Sequence, residues 1–112
     1  MTDLMQDLEK IKDDLRKSMK LLRQNGYELA EREHDYQVIK AQTVLMMKDE
    51  GCTMTEIQLS IKGQPRVADA LFERDKAKVM YDANMEHINA AKLEMRIIEN
   101  QIAREWSNAG QI

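Results

Sequence analysis

Proline, glycine, cysteine and aromatic residues are scarce in this chain of 112 residues. It contains one proline, four glycines and one cysteine, and aromatic residues make up 4% of it. A single cysteine excludes an internal disulfide framework. The apolar residues are mainly leucine, isoleucine, methionine and alanine, which favour helices, and few residues are present that would interrupt one.

Long apolar runs and an excess of one charge are also missing. No run approaches the roughly 18 apolar residues that a membrane span requires. The net charge of -3 has both signs interleaved, which gives no field strong enough to gather nucleic acid or an anionic membrane. The first residues, MTDLMQDLEK, do not form a signal region. We therefore expect a soluble protein of the cytoplasm, without a membrane partner.

Apolar residues, at 43%, and charged residues, at 33%, are present in proportions that support a folded core. At this length we expect one domain, 1–112, too small to bury a large fraction of its surface by itself. Its stability should therefore depend partly on association.

The first long helix is predicted over about residues 3–50. Apolar side chains recur there every three or four positions, which is the period of one helical face. Gly26 falls on this stripe and keeps its phase, so the helix should continue through it. Gly51 supplies the left-handed residue that ends many helices.

A short helix over about 53–62 and a second long helix over about 65–107 complete the pattern. Thr53 can cap the short helix by accepting from the backbone N–H of Glu56, and Gly63 closes it. Pro65 suits the first position of a helix, where its missing N–H has no intrahelical partner. The segment 108–110, Asn-Ala-Gly, is predicted to terminate the second long helix.

Together these segments predict an all-α fold, an antiparallel hairpin of two long helices joined by a short helical corner. Each long helix has an apolar stripe that one neighbour does not cover, so we expect a homo-oligomer, preferably a dimer, forming a helical bundle or coiled coil. The alternative is a monomeric hairpin with the short helix as a lid. The predicted oligomer seam consists of Leu8, Ile11, Leu15, Leu22, Leu29, Tyr81, Met85, Ile88, Met95, Ile98, Ile102 and Trp106.

Motifs for catalysis are weak. Glu31 and His34 have the Glu-x-x-His spacing of di-iron bundles, but the other histidine, His87, has no glutamate three residues earlier and is expected beside about Glu28. Cys52 is interpreted as a small buried hydrophobe, and the chain has no glycine-rich phosphate loop. We therefore predict no enzyme activity, no catalytic or metal-binding residue and no cofactor.

Two groups of basic residues are the candidates for contact with nucleic acid. Acidic residues such as Asp13 and Asp69 lie among them, which favours solvated faces held by local ion pairs. Nucleic-acid binding therefore stays the alternative function. The candidate contacts are Arg16, Lys17, Lys20 and Arg23 on the first helix, and Lys62 and Arg66 at the corner.

Several short motifs carry a resemblance that spans roughly residues 29 to 107. They are Asp35-Tyr36, Lys48-Asp49-Glu50-Gly51, Lys62-Gly63, Phe72-Glu73-Arg74-Asp75, Tyr81, Ile88-Asn89 and Ile97-Ile98-Glu99-Asn100-Gln101-Ile102. In these motifs the chain resembles small helical proteins of unknown function from phages and prophages of Gram-positive bacteria. Their genes often neighbour replication and recombination genes, so the resemblance implies an accessory role in the cytoplasm of the bacterial host cell. It assigns no role to an individual residue.

The function predicted from the sequence is that of a non-enzymatic interaction protein. It self-associates and offers a helical face to an unknown phage or host protein. The alternative is a nucleic-acid-binding accessory factor in phage replication or recombination.

Overall fold

The computed structural model describes residues 2–110, which form three α-helices and one short 3-10 helix. Helix α1 is Thr2–Asp49, α2 is Met54–Ser60, the 3-10 helix is Ile61–Gly63, and α3 is Pro65–Gly110. No strand occurs within these residues. The prediction of an all-α antiparallel hairpin of two long helices is confirmed.

The end of α3 differs from the sequence-based prediction. The helix includes Asn108 and Gly110, which were expected to terminate it. Both residues have low helix propensity, but both keep a backbone N–H and so weaken a helix without stopping it. At Gly26, by contrast, α1 continues without a break.

The corner between α1 and α2 is built by local hydrogen bonds. Gly51 has a φ of 89°, a left-handed conformation that costs glycine little because it has no Cβ. The N–H of Cys52 donates to the carbonyl of Met47 at 3.0 Å, the pattern of a Schellman C-cap. The hydroxyl of Thr53 then accepts from the N–H of Glu56 at 3.2 Å and caps α2. This cap is the one predicted from the sequence.

The described residues fall into two compact units, and each unit takes a segment from both long helices. Within the described residues, the central unit comprises 24–81, and the terminal unit comprises 2–23 and 82–110. Because the same two helices build both units, the expectation of one domain stays a prediction.

The core of the central unit lies at the corner, where α2 and the 3-10 helix pack against the last turns of α1. Cys52, which was interpreted from the sequence as a small buried hydrophobe, packs against this core but is only half-buried. The buried members of the core are Tyr36, Met47, Ile57, Ile61 and Val67.

In the terminal unit, α1 and α3 pack along a seam whose buried and half-buried positions recur every three or four residues. Leu8 and Ser18 of α1 are buried, as are Asn84 and Ile88 of α3. The Asn84 side chain crosses the seam and donates to the carbonyl of Ser18 at 2.9 Å.

The expected position of His87 beside Glu28 was wrong. His87 lines a small cavity of about 150 Å³ with Asp14 and Glu94. The expectation assumed that α1 ends level with the start of α3. Since α2 covers the last turns of α1, α3 begins beside an earlier part of α1, and later residues of α3 meet earlier residues of α1.

Candidate interaction surfaces

The twelve residues of the predicted oligomer seam mostly lie inside the single chain. Leu8 and Ile88 are buried within it, and Trp106, with 65% of its surface exposed, is the one exposed member. Their contact with a second copy stays a prediction. The half-buried members are Ile11, Leu15, Leu22, Leu29, Tyr81, Met85, Met95, Ile98 and Ile102.

A second apolar surface runs along α3 in the terminal unit, and we call it the outer stripe. Its members are Ala83, Ala90, Leu93 and Ile97, which are all exposed. At about 100° per residue they share an arc of about 80° on the face opposite the buried Ile88. Leu93 is 57% exposed and Ile97 is 54% exposed. The outer stripe is therefore uncovered in the single chain.

The seam predicted from the sequence did not include the outer stripe because the prediction followed only one of the two apolar faces of α3. The signal was available, since Leu93 and Ile97 are four residues apart and out of phase with Ile88. A helix that carries apolar residues on opposite faces is typical of one with neighbours on both sides.

Acidic side chains lie within and beside the outer stripe. At 100° per residue Glu86 lies about 20° from the centre of the stripe, inside its arc, and Asp82 and Glu94 lie about 60° from the centre. The basic residues of the same segment, Lys92 and Arg96, lie more than about 100° from the centre. This part of α3 therefore presents a surface on which apolar and acidic side chains are mixed.

One side of the central unit has an open cavity of about 630 Å³, which we call the basic groove. Its floor is apolar and partly made of small residues, and two of its three charged side chains are cationic. Beside it on the same face of α1 is a second cavity of about 450 Å³, lined by Gln37, Lys40, Ala41, Val44 and Leu45. The lining of the basic groove is Gly26, Leu29, Ala30, Glu33, Arg74, Lys78 and Tyr81.

Arg74 holds the wall of the basic groove in place. Its guanidinium donates to Glu33 at 3.1 Å and to Asp75 at 2.9 Å. The same group lies over the ring of the buried Tyr36, 4.9 Å from its centroid. A hydrogen bond from Gln37, at 2.9 Å, together with that from Arg74 lowers the pKa of the Glu33 carboxyl, against a smaller opposing effect of burial.

On the other side of the central unit, acidic side chains outnumber basic ones. Cavities of about 270 and 300 Å³ lie there, and we call them together the acidic groove. Local ion pairs hold several of the side chains, such as Lys76 with Glu73 at 3.1 Å. The charged residues that line the acidic groove are Glu28, Asp35, Asp69 and Glu73 against Arg32, Arg66 and Lys76.

The six candidate nucleic-acid contacts are all exposed. Arg16, Lys17, Lys20 and Arg23 lie in the terminal unit, and Lys62 and Arg66 lie in the central unit. Arg16 pairs with Asp13 at 2.7 Å. Arg66 lines the acidic groove beside Asp35 and Asp69. Acidic neighbours thus reduce the local positive potential at Arg16 and Arg66, as was expected from the sequence.

Residues with metal-binding potential are dispersed within the described part of the chain. Glu31 and His34 are exposed, and the ring of His34 lies 3.7 Å from the carboxylate of Asp35. No group of three or more histidine, cysteine, aspartate or glutamate residues among 2–110 is arranged to hold a metal ion.

No helix among the described residues has the length and apolar character needed to cross a membrane. The outer stripe and the two grooves are the candidate interaction surfaces described above. Comparisons with protein-family models, with curated proteins and with solved structures found no match to the chain.

Proposed function

We propose that this chain is a non-enzymatic interaction protein that self-associates through the outer stripe of α3. The observation that carries the proposal is the exposure of Leu93 and Ile97 on the face of α3 opposite the intramolecular seam. Two large apolar side chains exposed one helical turn apart on the same face support an interaction site there.

Burial of the exposed area of the outer stripe would stabilise a complex. Fully burying a leucine or isoleucine side chain stabilises a complex by about 1.5–3 kcal/mol. Leu93 and Ile97 each keep more than half of their surface in water, and Ala83 and Ala90 continue the same line along the helix. Association would bury all four residues without rearranging the seam between α1 and α3.

Analytical ultracentrifugation of the whole chain tests this proposal. The wild-type protein should sediment as an oligomer at micromolar concentration, and Leu93→Ser should shift it toward the monomer while the helical circular dichroism stays unchanged. Leu59→Ser is the matched control, since Leu59 is 84% exposed on α2 and lies outside the stripe. A monomeric wild-type protein, or a Leu93→Ser variant with the wild-type mass, would contradict the proposal.

The resemblance to phage and prophage proteins suggests where such an assembly would act. We propose an accessory role in a bacterial host during phage growth, with a phage or host protein bound by the assembled helices. Co-purification of the tagged chain from lysogenic cells, compared with the Leu93→Ser variant, tests whether a partner depends on assembly.

Nucleic-acid binding is the second candidate. Arg16, Lys20 and Arg23 are exposed and follow one another at helical spacing on α1, so three cations share one face. Binding to a DNA duplex across a salt series tests this function, because contacts to several phosphates make the affinity fall steeply as salt rises. Absence of binding at low salt would remove this candidate.

A further inference from the structure

We propose that α1 contains a local opening site over residues 25–30, where a short stretch of the helix unfolds and refolds while the corner of the central unit stays folded. The whole segment belongs to the central unit. Its opening requires no second copy of the chain, so this inference does not depend on the proposed self-association.

The opening segment lies in a part of α1 that contributes little to a core. From Gln24 to Asp35 no residue of the helix is buried. Nearer the corner, by contrast, Tyr36, Thr43 and Met47 are buried. Helices in proteins are stabilised mainly by packing of a buried face, and segments with few buried contacts open more readily than those that form a core. The turns around residues 25–30 are therefore the weaker part of α1 in the central unit.

Cavities lie on both sides of the opening segment. Gly26, Leu29 and Ala30 line the basic groove, and Asn25 and Glu28 line the acidic groove. Side chains that face open space have fewer neighbouring atoms and lose less dispersion energy when they move. Opening of this stretch consequently breaks few side-chain contacts.

Asn25 and Gly26 also weaken the helix directly. Both residue types have low helix propensity. The side-chain nitrogen of Asn25 is buried and has no hydrogen-bond partner among the described residues. Opening returns this donor to water, so the missing hydrogen bond destabilises the closed helix and not the open one. The composition and the local structure thus favour opening at the same two positions.

Opening of this segment would change the basic groove. Three of the seven residues that line it, Gly26, Leu29 and Ala30, belong to the opening segment. The remaining residues include Glu33 and Arg74, which are joined by a hydrogen bond of 3.1 Å outside the segment. The central unit therefore alternates between a closed groove and a wider one without breaking this bond.

Amide hydrogen exchange of the whole chain, followed residue by residue by NMR spectroscopy, tests the inference. Protection factors over residues 25–30 should be at least about tenfold lower than those over residues 36–47. Low concentrations of urea should lower protection over 36–47 but leave it unchanged over 25–30, because a local opening exposes little surface. Equal protection of the two segments, or an equal dependence on urea, would overturn the inference.

An exchange of glycine and alanine at two positions of α1 gives a matched pair of variants. Gly26→Ala should raise protection over residues 25–30 about fivefold, because alanine favours the closed helix. Ala41→Gly, at an exposed position nearer the corner, should lower protection over residues 36–47 about fivefold. It should leave residues 25–30 unchanged, since their opening does not involve position 41.

The second variant separates local opening from unfolding of the whole chain. If residues 25–30 exchanged only through global unfolding, Ala41→Gly would lower their protection as much as that of residues 36–47, and the inference would be overturned. Wild-type protection over 25–30 in Gly26→Ala would overturn it as well. Sedimentation of the Leu93→Ser variant reports on self-association alone, so the two proposals can fail separately.

Discussion

The side-chain amide of Asn84 donates a hydrogen bond of 2.9 Å to the backbone carbonyl of Ser18 across the seam of the terminal unit. A carbonyl oxygen has two lone pairs, so this oxygen can accept from Asn84 as well as from its own helix. Asn84 is 9% exposed. The bond therefore fixes the register of α3 against α1 at a buried position, a use of asparagine that is well established in paired helices.

Replacing Asn84 by alanine should lower the free energy of unfolding by about 1–2 kcal/mol, because it removes a buried hydrogen bond and side-chain volume. Urea denaturation followed by circular dichroism measures the change. Asn89→Ala is the matched control, since Asn89 is exposed on the same helix and its loss should change the stability by less than about 0.5 kcal/mol. Equal effects of the two substitutions would show that the bond to Ser18 does not stabilise the fold.

Replacing Asn25 by alanine should change the free energy of unfolding in the opposite direction from Asn84→Ala. Its side-chain nitrogen is buried and has no hydrogen-bond partner among the described residues. An unsatisfied buried donor destabilises a protein by about 1–3 kcal/mol. Asn25→Ala should therefore raise the free energy of unfolding, and alanine also has the higher helix propensity. A decrease comparable to that of Asn84→Ala would contradict this account.

A substitution at Gly26 should also raise the free energy of unfolding. A Cβ atom built there would lie 3.5 Å from the Cε2 atom of Tyr81, an ordinary van der Waals distance. Gly26→Ala should raise the free energy of unfolding by about 1 kcal/mol, the difference in helix propensity. Gly51→Ala should lower it, because the φ of 89° is strained for alanine. Thermal melts of the two variants should thus shift in opposite directions.

Acid should weaken the contribution of Glu33 to stability. The hydrogen bonds from Gln37 and Arg74 lower the pKa of its carboxyl from the ordinary value of 4.5. A pKa that is lower in the folded state gives stability that is present above pH 4.5 and is lost as the pH falls through the lowered value. Carboxyl carbon chemical shifts measure this pKa directly, and a value at or above 4.5 would contradict the prediction.

A mutant comparison checks the same prediction independently. The difference in melting temperature between the wild type and Glu33→Gln should be largest above pH 4.5 and should shrink as the pH falls below it. Glu31→Gln is the control for removing a negative charge from the same turn, since Glu31 is exposed.

Much of the fold followed from the periodic pattern and from the residues that stop helices. Gly51, Thr53 and Pro65 act through their own backbone or side chain within a few residues. Local chemistry of this kind is readable in a sequence. The end of α3 was less predictable, because Asn108 and Gly110 disfavour a helix without blocking it.

The antiparallel pairing of the two long helices was predicted, but which residues of α3 lie beside which residues of α1 was not predictable in the same way. It depends on how far α2 covers the end of α1, a tertiary contact between residues such as Met47 and Ile57. The predicted position of His87 beside Glu28 was wrong for this reason. The groove around Arg74 was missed too, since Glu33 and Arg74 are 41 positions apart and nothing in either local sequence indicates the other.

The outer stripe was visible in the sequence but was not separated from the seam. Periodicity finds apolar faces, and it does not say which of two faces the chain covers by itself. Leu93 and Ile97 could be distinguished from Ile88 only once their exposure was known.

The spacing of the buried positions has a consequence for how such a protein can vary. Every seventh residue along the seam returns to the same face of its helix, as in paired helices generally. Removing or inserting seven residues in both α1 and α3 would therefore shorten or lengthen the hairpin while the corner built around Ile57 and Val67 stayed intact. The lengths of α1 and α3 can therefore change in steps of seven residues without changing the corner that joins them.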